Sequence, residues 1–452
     1  MNPNPRRWDV AACVDAAPLG FTQILVVLLT FAVAASDGLD AQIIGFTAPQ
    51  IAAEFGISRD QLGPVFSASL LGMAGGALLF GSLGDRLGRR YTMIACVAVF
   101  GFGTLLTPLA RGVIDLTVLR LITGFGLGGA LPNAVTLVAE CAPARQRGLL
   151  VTLMYIGFSV GGMLGGAIAS ALVVEHGWRL MFYIGGLLPL GLCLVLWALL
   201  PESPHFLARQ PGGRSRVSAL LRRLDPSGDY AADDVYLVPE AVGSNTGIGE
   251  LFRHRRARNT LLLWSAFFIN LLVLFFLMNW LPTLLVERGW ALDSAIRVMV
   301  MFNFGAVFGA LLLAWLSARY NPRRMLAMCF ALGGLAIMAI GLGNGQWAVV
   351  MTAGLATGVF AGAAQVGLYP ITTQAYPSLV RATGVGWAQA WGRTGSILGP
   401  LAGGWLAVLE PRFVVYFVVF GAPLLVAAVA IAAMRDPPPA AFTNALDQSD
   451  GP

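Results

Sequence analysis

FTQILVVLLTFAVAASDGLDAQIIG, residues 21–45, decides the fold class. Its 25 residues carry no charge other than Asp37 and Asp40. A helix needs roughly 20 mostly apolar residues to cross a hydrocarbon layer about 30 Å thick, so this stretch is long enough to span a membrane. The segment before it, MNPNPRRWDVAACVDAAPLG, has no cleavage site directly after a short apolar core, and the span is expected to stay in place as a helix. Eleven further stretches of the same kind follow, at 62–83, 92–110, 113–138, 148–174, 179–200, 259–285, 295–317, 325–343, 347–373, 382–408 and 413–434.

The whole chain agrees with its first span. It is 57% hydrophobic and 12% charged, against about 45–50% and about 25% in an ordinary soluble domain, with a mean hydropathy of +0.74. These values argue against a soluble fold. All 29 basic residues are arginine, and with 23 acids they leave a net charge of +6. In a membrane chain that excess reports topology rather than nucleic-acid binding. With both termini cytoplasmic, 21 of the 29 arginines fall in inner segments and six in outer loops, the positive-inside pattern expected of an inner (plasma) membrane protein. Arg120 and Arg393 are left inside spans. Five scattered cysteines form no CxxC pair and no metal-ligand spacing, and the three histidines fall in expected loops. No metal, no cofactor and no histidine-based catalysis inside the membrane is expected.

Shifting the chain against itself by 233 residues pairs Pro49 with Pro282, Leu83 with Leu316, Arg86 with Arg319, Arg179 with Arg412 and Tyr183 with Tyr416. A shift of 234 pairs Pro143 with Pro377, Arg147 with Arg381, Gly161 with Gly395 and Gly165 with Gly399. Matches in this order indicate duplication. The expected organisation is an N-terminal six-helix half at 1–200, a cytoplasmic central loop at 201–258, a C-terminal six-helix half at 259–434 and a disordered cytoplasmic tail at 435–452. Twelve transmembrane helices in two pseudo-symmetric halves, an all-α membrane fold, is the layout of a transporter that rocks about a midplane site.

Four motifs carry a family resemblance. GSLGDRLGRR lies at 81–90 between spans two and three, Arg120-x3-Gly124-x-Gly126-x-Gly128 in span four, Glu140-x-x-Pro143-x-x-x-Arg147-Gly148 after it, and PESPHFL at 201–207. Together they resemble the major facilitator superfamily over essentially the whole chain. Asp37-Gly38-Leu39-Asp40, LPNAVTLVAE at 131–140 and RATGVGWAQAWGRTGSILGP at 381–400 resemble its aromatic acid:proton symporter family. The resemblance implies that Gly84, Asp85, Arg86, Gly88 and Arg89 form an inner gate, locked by charge pairing and helix-end contacts while the protein faces outward. It also implies that Arg120 takes part in proton transfer. The second-half copy of the loop, AWLSARYNPRR at 314–324, departs from the pattern. It has Ala318 in place of the acid and one extra residue before its double arginine.

The residues themselves suggest the rest of the site. Asp37 and Asp40 share a helix face in the outer half of span one as drawn, where low dielectric and a like-charged neighbour both favour proton uptake. The alternative is that the span ends early and Asp40 caps its outer end in water. Gly38 between them would loosen the helix. Arg393 lies about eleven residues into span eleven, roughly 17 Å deep. A guanidinium cannot shed its proton, so it needs an anion, such as a substrate carboxylate or a span-one aspartate. Glu140, at the inner end of span four, is a further proton-coupling candidate or a partner of Arg145 and Arg147. Tyr155, Tyr369 and Trp391, with Phe267, Phe304 and Trp387, are candidate walls for an aromatic ring. Asn270, Asn303 and Gln365 are candidate partners for a ring hydroxyl. Glycines at 157, 161, 165 and at 395, 399, 403 suit close helix packing.

These features point to proton-coupled import of an aromatic carboxylate such as benzoate or a hydroxybenzoate. The expected partners are that anion, the proton and the lipid bilayer, with no nucleic acid, and the chain is expected to be a monomer. A proton symporter for a sugar, polyol or small carboxylate stays open, because PESP also resembles the sugar porters. Drug:proton antiport is argued against by the missing Gly-Pro pair in span five. A receptor or channel would show no proton-coupled uptake. A membrane enzyme finds no nucleophile–base pair, metal spacing or phosphate loop beside the spans.

Overall fold

The computed structural model describes residues 6–238, 248–253, 256–343, 346–409 and 412–434. The expected tail at 435–452 lies outside the described residues. Helices dominate because lipid offers no partner for a backbone N–H or C=O, whereas a helix pairs its own. The first half holds α1 (Val10–Ala16), α2 (Phe21–Phe55), α3 (Arg59–Leu87), α4 (Arg89–Leu106), α5 (Val113–Cys141), α6 (Ala144–His176) and α7 (Trp178–Leu199). The central connection carries α8 (Pro204–Arg209) and α9 (Arg214–Leu224). The second half holds α10 (Ala257–Glu287), α11 (Leu292–Ser317), α12 (Pro322–Leu342), α13 (Trp347–Thr357), α14 (Ala363–Ala375), α15 (Ser378–Leu409) and α16 (Phe413–Ala432). A π-helical turn at Gly358–Gly362 joins α13 to α14, so those two make one span. Among the described residues, eleven helices are long and apolar enough to cross a membrane. The 32-residue α15, which carries Arg393, stands in the eleventh of the twelve expected places.

The halves repeat one packing scheme: α2 lies on α6 as α10 lies on α15. Their contacts are glycine seams. A Cβ on Gly161 would sit 1.8 Å from the Ala35 carbonyl oxygen of α2, and one on Gly399 would sit 2.2 Å from the Leu272 carbonyl oxygen of α10. The helices therefore touch backbone to backbone. Gly38 belongs to the same α2–α6 seam, with a Cβ there 1.9 Å from the Phe158 carbonyl oxygen, so its place is close packing within an unbroken helix.

The helices run past their apolar windows. α2 continues to Phe55, because Thr47, Gln50 and Glu54 end the apolar stripe without ending the backbone ladder, and Gly56 at φ 62° stops it. Asp37 and Asp40 thus sit near the middle of a 35-residue helix rather than in its outer half. Asp40 is 1% exposed, which removes the capping alternative.

The segment 201–258 is folded where it is described, and it folds with the N-terminus. Strand β1 (Arg7–Asp9) pairs in parallel with β2 (Val235–Leu237). Beneath them Val10, Cys13, Val14, Val217, Leu221, Tyr230 and Tyr236 form a small separate core. The plate is fixed to the first half: Gln23 at the start of α2 donates to the Leu224 carbonyl at 3.2 Å, and Arg147 pairs with Asp15 at 2.7 Å. His205 lies in α8 and His176 closes α6, so neither is in a loop, while His254 is outside the described residues. Below, the end of the bundle bearing this plate is the terminal end and the opposite one the distal end.

Candidate functional site

The DGLD turn of α2 places two carboxylates one turn apart on one face, both buried. Their surroundings differ. Asp40 accepts a hydrogen bond from Thr104 at one oxygen and meets Arg120 Nη1 at 3.5 Å with the other. Arg120, 1% exposed, also donates to the hydroxyls of Thr107 at 2.7 Å and Thr123 at 3.1 Å and lies over the Phe182 ring at 5.0 Å. Beside this pair is a cavity of about 10 Å³, the room of one water molecule, lined by Ser69 and by Phe275 and Asn279 of the other half. Neither oxygen of Asp37 has a hydrogen-bond partner. The opposite charge whose field reaches it is Arg393 of α15, from the other half.

Around Arg393 the structure gathers five of the expected residues. Tyr155 of α6 stacks on Tyr369 of α14 with centroids 6.1 Å apart and planes at 23°, a contact between the two halves. Both rings lie in the electrostatic reach of Arg393. Phe267 meets Tyr369 edge-on at 5.8 Å. Gln365 stands one turn before Tyr369 on α14, and Asn270 Nδ2 donates to Gln365 Oε1 at 2.7 Å. Arg393, Tyr155, Tyr369 and Gln365 are half-buried, while Asn270 and Phe267 are buried behind them. Trp391 lies elsewhere, stacked on Trp264 at 5.9 Å beside Trp387 and 45% exposed, and Phe304 is 52% exposed.

Asn303 is drawn into a contact the sequence reading missed. Its amide exchanges hydrogen bonds with that of Gln42, Asn303 Nδ2 donating at 2.8 Å and Gln42 Nε2 donating back at 3.2 Å. The pair joins α11 to α2 across the halves. On the distal side of it the halves are closed. A Cβ on Gly45 would lie 2.2 Å from the Met278 carbonyl oxygen, Ser67 donates to the Ile397 carbonyl at 2.8 Å, and Arg59 pairs with Glu287 at 2.8 Å. Gln42 lies five residues beyond Asp37, and only its polarity within an apolar run could have marked it.

At the terminal end, Asp85 is exposed and pairs with Arg89 at 2.5 Å within its own loop, and Arg86 is exposed. Gly84 packs against Asn133, where a Cβ would lie 2.1 Å from its Oδ1. Gly88 has φ 98°, and a Cβ there would lie 2.2 Å from Glu202 Oε2, so the turn requires glycine on both counts. Glu202, from the PESP stretch, accepts the N–H groups of Arg89 at 2.8 Å and Arg90 at 3.1 Å and so caps α4. Burial pushes its carboxyl above the ordinary range, and these N–H donors pull it back. In the second half α12 is capped by its own Asn321, which accepts from the N–H of Arg323 at 3.0 Å. Asn321 stands where α4 has Gly88, so this loop supplies locally the cap that the central connection supplies to α4. Glu140 accepts a hydrogen bond from Ser203, the N-cap of α8, and is a structural tie at this end, far along α5 from Arg120. Among the described residues no group of three or more His, Cys, Asp or Glu is placed to hold a metal.

Two related α-helical halves with unlike charges trapped between them define the architecture of a secondary membrane transporter. The chain belongs to the Major Facilitator Superfamily, which it matches over residues 30–302 and 293–449. It is 38% identical over 426 residues to the gallate transporter of Pseudomonas putida, covering 94% of each chain. It is also 38% identical over 431 residues to the 4-hydroxybenzoate transporter PcaK of Pseudomonas aeruginosa, covering 94% of this chain and 96% of that one. Among solved structures, the partially occluded inward open conformation of the xylose transporter XylE from E. coli superposes with a TM-score of 0.73 at 17% identity, over 90% of this chain and 98% of that one. The relatives are transporters, and this chain is a multi-pass membrane transporter rather than an enzyme.

Proposed function

We propose that the protein imports an aromatic carboxylate together with protons by alternating access, as a monomer in the inner membrane with both termini cytoplasmic. The observation that carries this reading is the unpartnered carboxylate of Asp37, wholly buried on one half and held only in the field of Arg393 on the other. An ionised carboxylate without hydrogen bonds is costly in a low dielectric, and a proton relieves it. Protonation of Asp37 also frees Arg393 to take an anion, since a guanidinium stays charged and binds a carboxylate with two parallel hydrogen bonds. Proton and substrate therefore need one another at the same place. A neutral sugar would leave Arg393 without its anion. The Asp40–Arg120 pair is a second proton site, with Arg120 already held by Thr107 and Thr123 when Asp40 is neutralised.

In this reading the terminal end faces the cytoplasm. The closed distal contacts then describe the inward-facing arm of the cycle, and the Asp85 loop, paired within itself, is in its released form. One proton with a monoanion is electroneutral, so each pH unit contributes about 1.4 kcal/mol, and any further proton adds about 2.3 kcal/mol per 100 mV. The names of the two relatives, transporters of gallate and 4-hydroxybenzoate, support an aromatic acid as cargo.

The test is uptake of radiolabelled benzoate, 4-hydroxybenzoate and gallate into proteoliposomes under an imposed pH gradient. Wild type should accumulate at least one of them and lose it on collapse of the gradient, and Asp37→Asn and Arg393→Ala should not accumulate it. Equal accumulation by all three proteins would remove both assigned roles.

A further inference from the structure

We infer that the cavity between Asp40, Ser69, Arg120 and Asn279 binds one water molecule, and that this water hands protons from the distal side to the Asp40 carboxylate. This rests on the proton-coupled reading above and adds a route of entry to it, with Ser69 and Asn279 as the residues that hold the water.

The cavity measures about 10 Å³, the room of one water, and its wall sets these four polar side chains among apolar ones. A buried water makes about three hydrogen bonds, so four polar groups are enough to hold it. Arg120 is 1% exposed; its Nη1 meets Asp40 at 3.5 Å and its Nη2 donates to Thr107 and Thr123, while its Nε has no hydrogen-bond partner. A buried guanidinium N–H left unbonded is costly, and a water oxygen beside it removes that cost. Asn279 is also buried and donates its Nδ2 to the Phe275 carbonyl at 2.7 Å, which leaves the amide oxygen to accept from the water. Ser69 donates or accepts through its hydroxyl. Its place is fixed, because a Cβ on Gly124 would lie 1.8 Å from the Ser69 carbonyl oxygen.

The cavity lies against the closed distal seam. Phe275 and Asn279 come from α10, and the rest of the wall from α2, α3 and α5. Ile44 and Asn279, both in the wall, flank the contact of Gly45 with Met278, where a Cβ on Gly45 would lie 3.2 Å from the Asn279 Cα. Phe66, also in the wall, meets Trp280 of α10 edge-on at 5.4 Å. Alternating access requires α10 to part from α2 and α3 here, and the parting joins the water to the outer solution. The water then gives one of its protons to an Asp40 oxygen and takes another from outside, ending as water. Asp37 is not part of this wall, so the two carboxylates do not share the route.

The test compares two rates in proteoliposomes of the full-length protein, using whichever of benzoate, 4-hydroxybenzoate and gallate the wild type exchanges fastest. One is initial uptake under an imposed pH gradient; the other is exchange of labelled for unlabelled acid at equal pH on both sides. Exchange returns the carrier with its proton still bound, so it needs no transfer through the water. Asn279→Leu, of similar volume and without an acceptor, should slow gradient-driven uptake about tenfold or more while changing exchange less than about threefold. Ser69→Ala should act in the same direction, and Asn279→Ser, which keeps a polar atom at the cavity, should restore uptake toward that of the wild type. Wild-type uptake in both Asn279→Leu and Ser69→Ala overturns the inference. So does a loss of exchange equal to the loss of uptake, which would place these residues in the substrate site. If the wild type accumulates the acid and these outcomes follow, the water route alone is wrong. If the wild type exchanges no aromatic acid, or exchanges one without accumulating it under the gradient, the proton-coupled reading is wrong and the route falls with it.

Discussion

Asp40 is bonded by Thr104 and Arg120 while Asp37, one turn earlier on the same face of α2, accepts no hydrogen bond at either oxygen. The two carboxylates therefore have unequal sensitivities. Asp37→Asn breaks no hydrogen bond and takes only a countercharge from the half-buried Arg393, so it should shift the thermal midpoint in detergent less than Asp40→Asn does, while abolishing gradient-driven accumulation. Asp40→Asn leaves the Arg120 charge buried and uncompensated and should cost about 3–5 kcal/mol. A midpoint for Asp40→Asn equal to that of wild type would show that the ion pair carries no net stability.

The reciprocal amides of Gln42 and Asn303 should behave as one unit. Asn303→Ala leaves the buried Gln42 amide unpaired, and Gln42→Ala leaves Asn303 Oδ1 without a donor while its Nδ2 keeps the Met299 carbonyl at 2.9 Å; each should cost about 1–3 kcal/mol. The double change should cost clearly less than the two together, because no orphan remains. Additive losses in thermal unfolding would mean that the two act separately.

Glycine substitutions in the first half separate seam from surface. Gly38→Ala puts a Cβ 1.9 Å from the Phe158 carbonyl oxygen and should destabilise by about 1–3 kcal/mol or prevent folding. Gly148→Ala meets nothing within 4 Å on an exposed stretch of α6 and should stabilise by up to about 1 kcal/mol. A tolerated Gly38→Ala would contradict the backbone-to-backbone contact of α2 and α6.

The plate at the terminal end should respond to acid. Asp234 accepts from the Trp8 indole at 2.8 Å and from the N–H groups of Arg6 and Ala231, each at 3.1 Å. These donors, the Trp8 indole foremost, hold its carboxyl below the ordinary value of 3.8. A depressed value means that the stabilisation is present above the ordinary range and is lost as pH falls through the depressed one. Exchange of the Val235 amide, which donates to the Arg6 carbonyl at 2.9 Å, should stay protected at pH 5 and lose protection only below about pH 4. In Asp234→Asn the protection should be weak already at pH 5, and full protection there would detach the strand pair from this carboxylate.

The spans, the duplication and the charged residues within the membrane were legible in the sequence. Each is a local property: an apolar run long enough for the bilayer, a repeated order of residues, an aspartate or arginine with no water to dissolve it. Asp37, Arg393, Tyr155, Tyr369, Gln365 and Asn270 could be singled out on such grounds, and they come together. Trp391 could not be told from them, because an aromatic residue in a span looks the same whether it faces a cavity or the outside of the bundle. Asn303 was equally ambiguous, since its partner Gln42 is 261 residues away.

The sequence by itself determined that this chain is a two-fold repeat of membrane helices carrying buried acids and a buried guanidinium, because the cost of burial is written into each residue's chemistry. Only the tertiary structure decided which acid has a partner, which amides face each other across the halves, and that the N-terminal strand folds with the central connection. Pairings of this kind depend on how helices cross at their glycine seams and on contacts between residues hundreds of positions apart, and no local pattern records them.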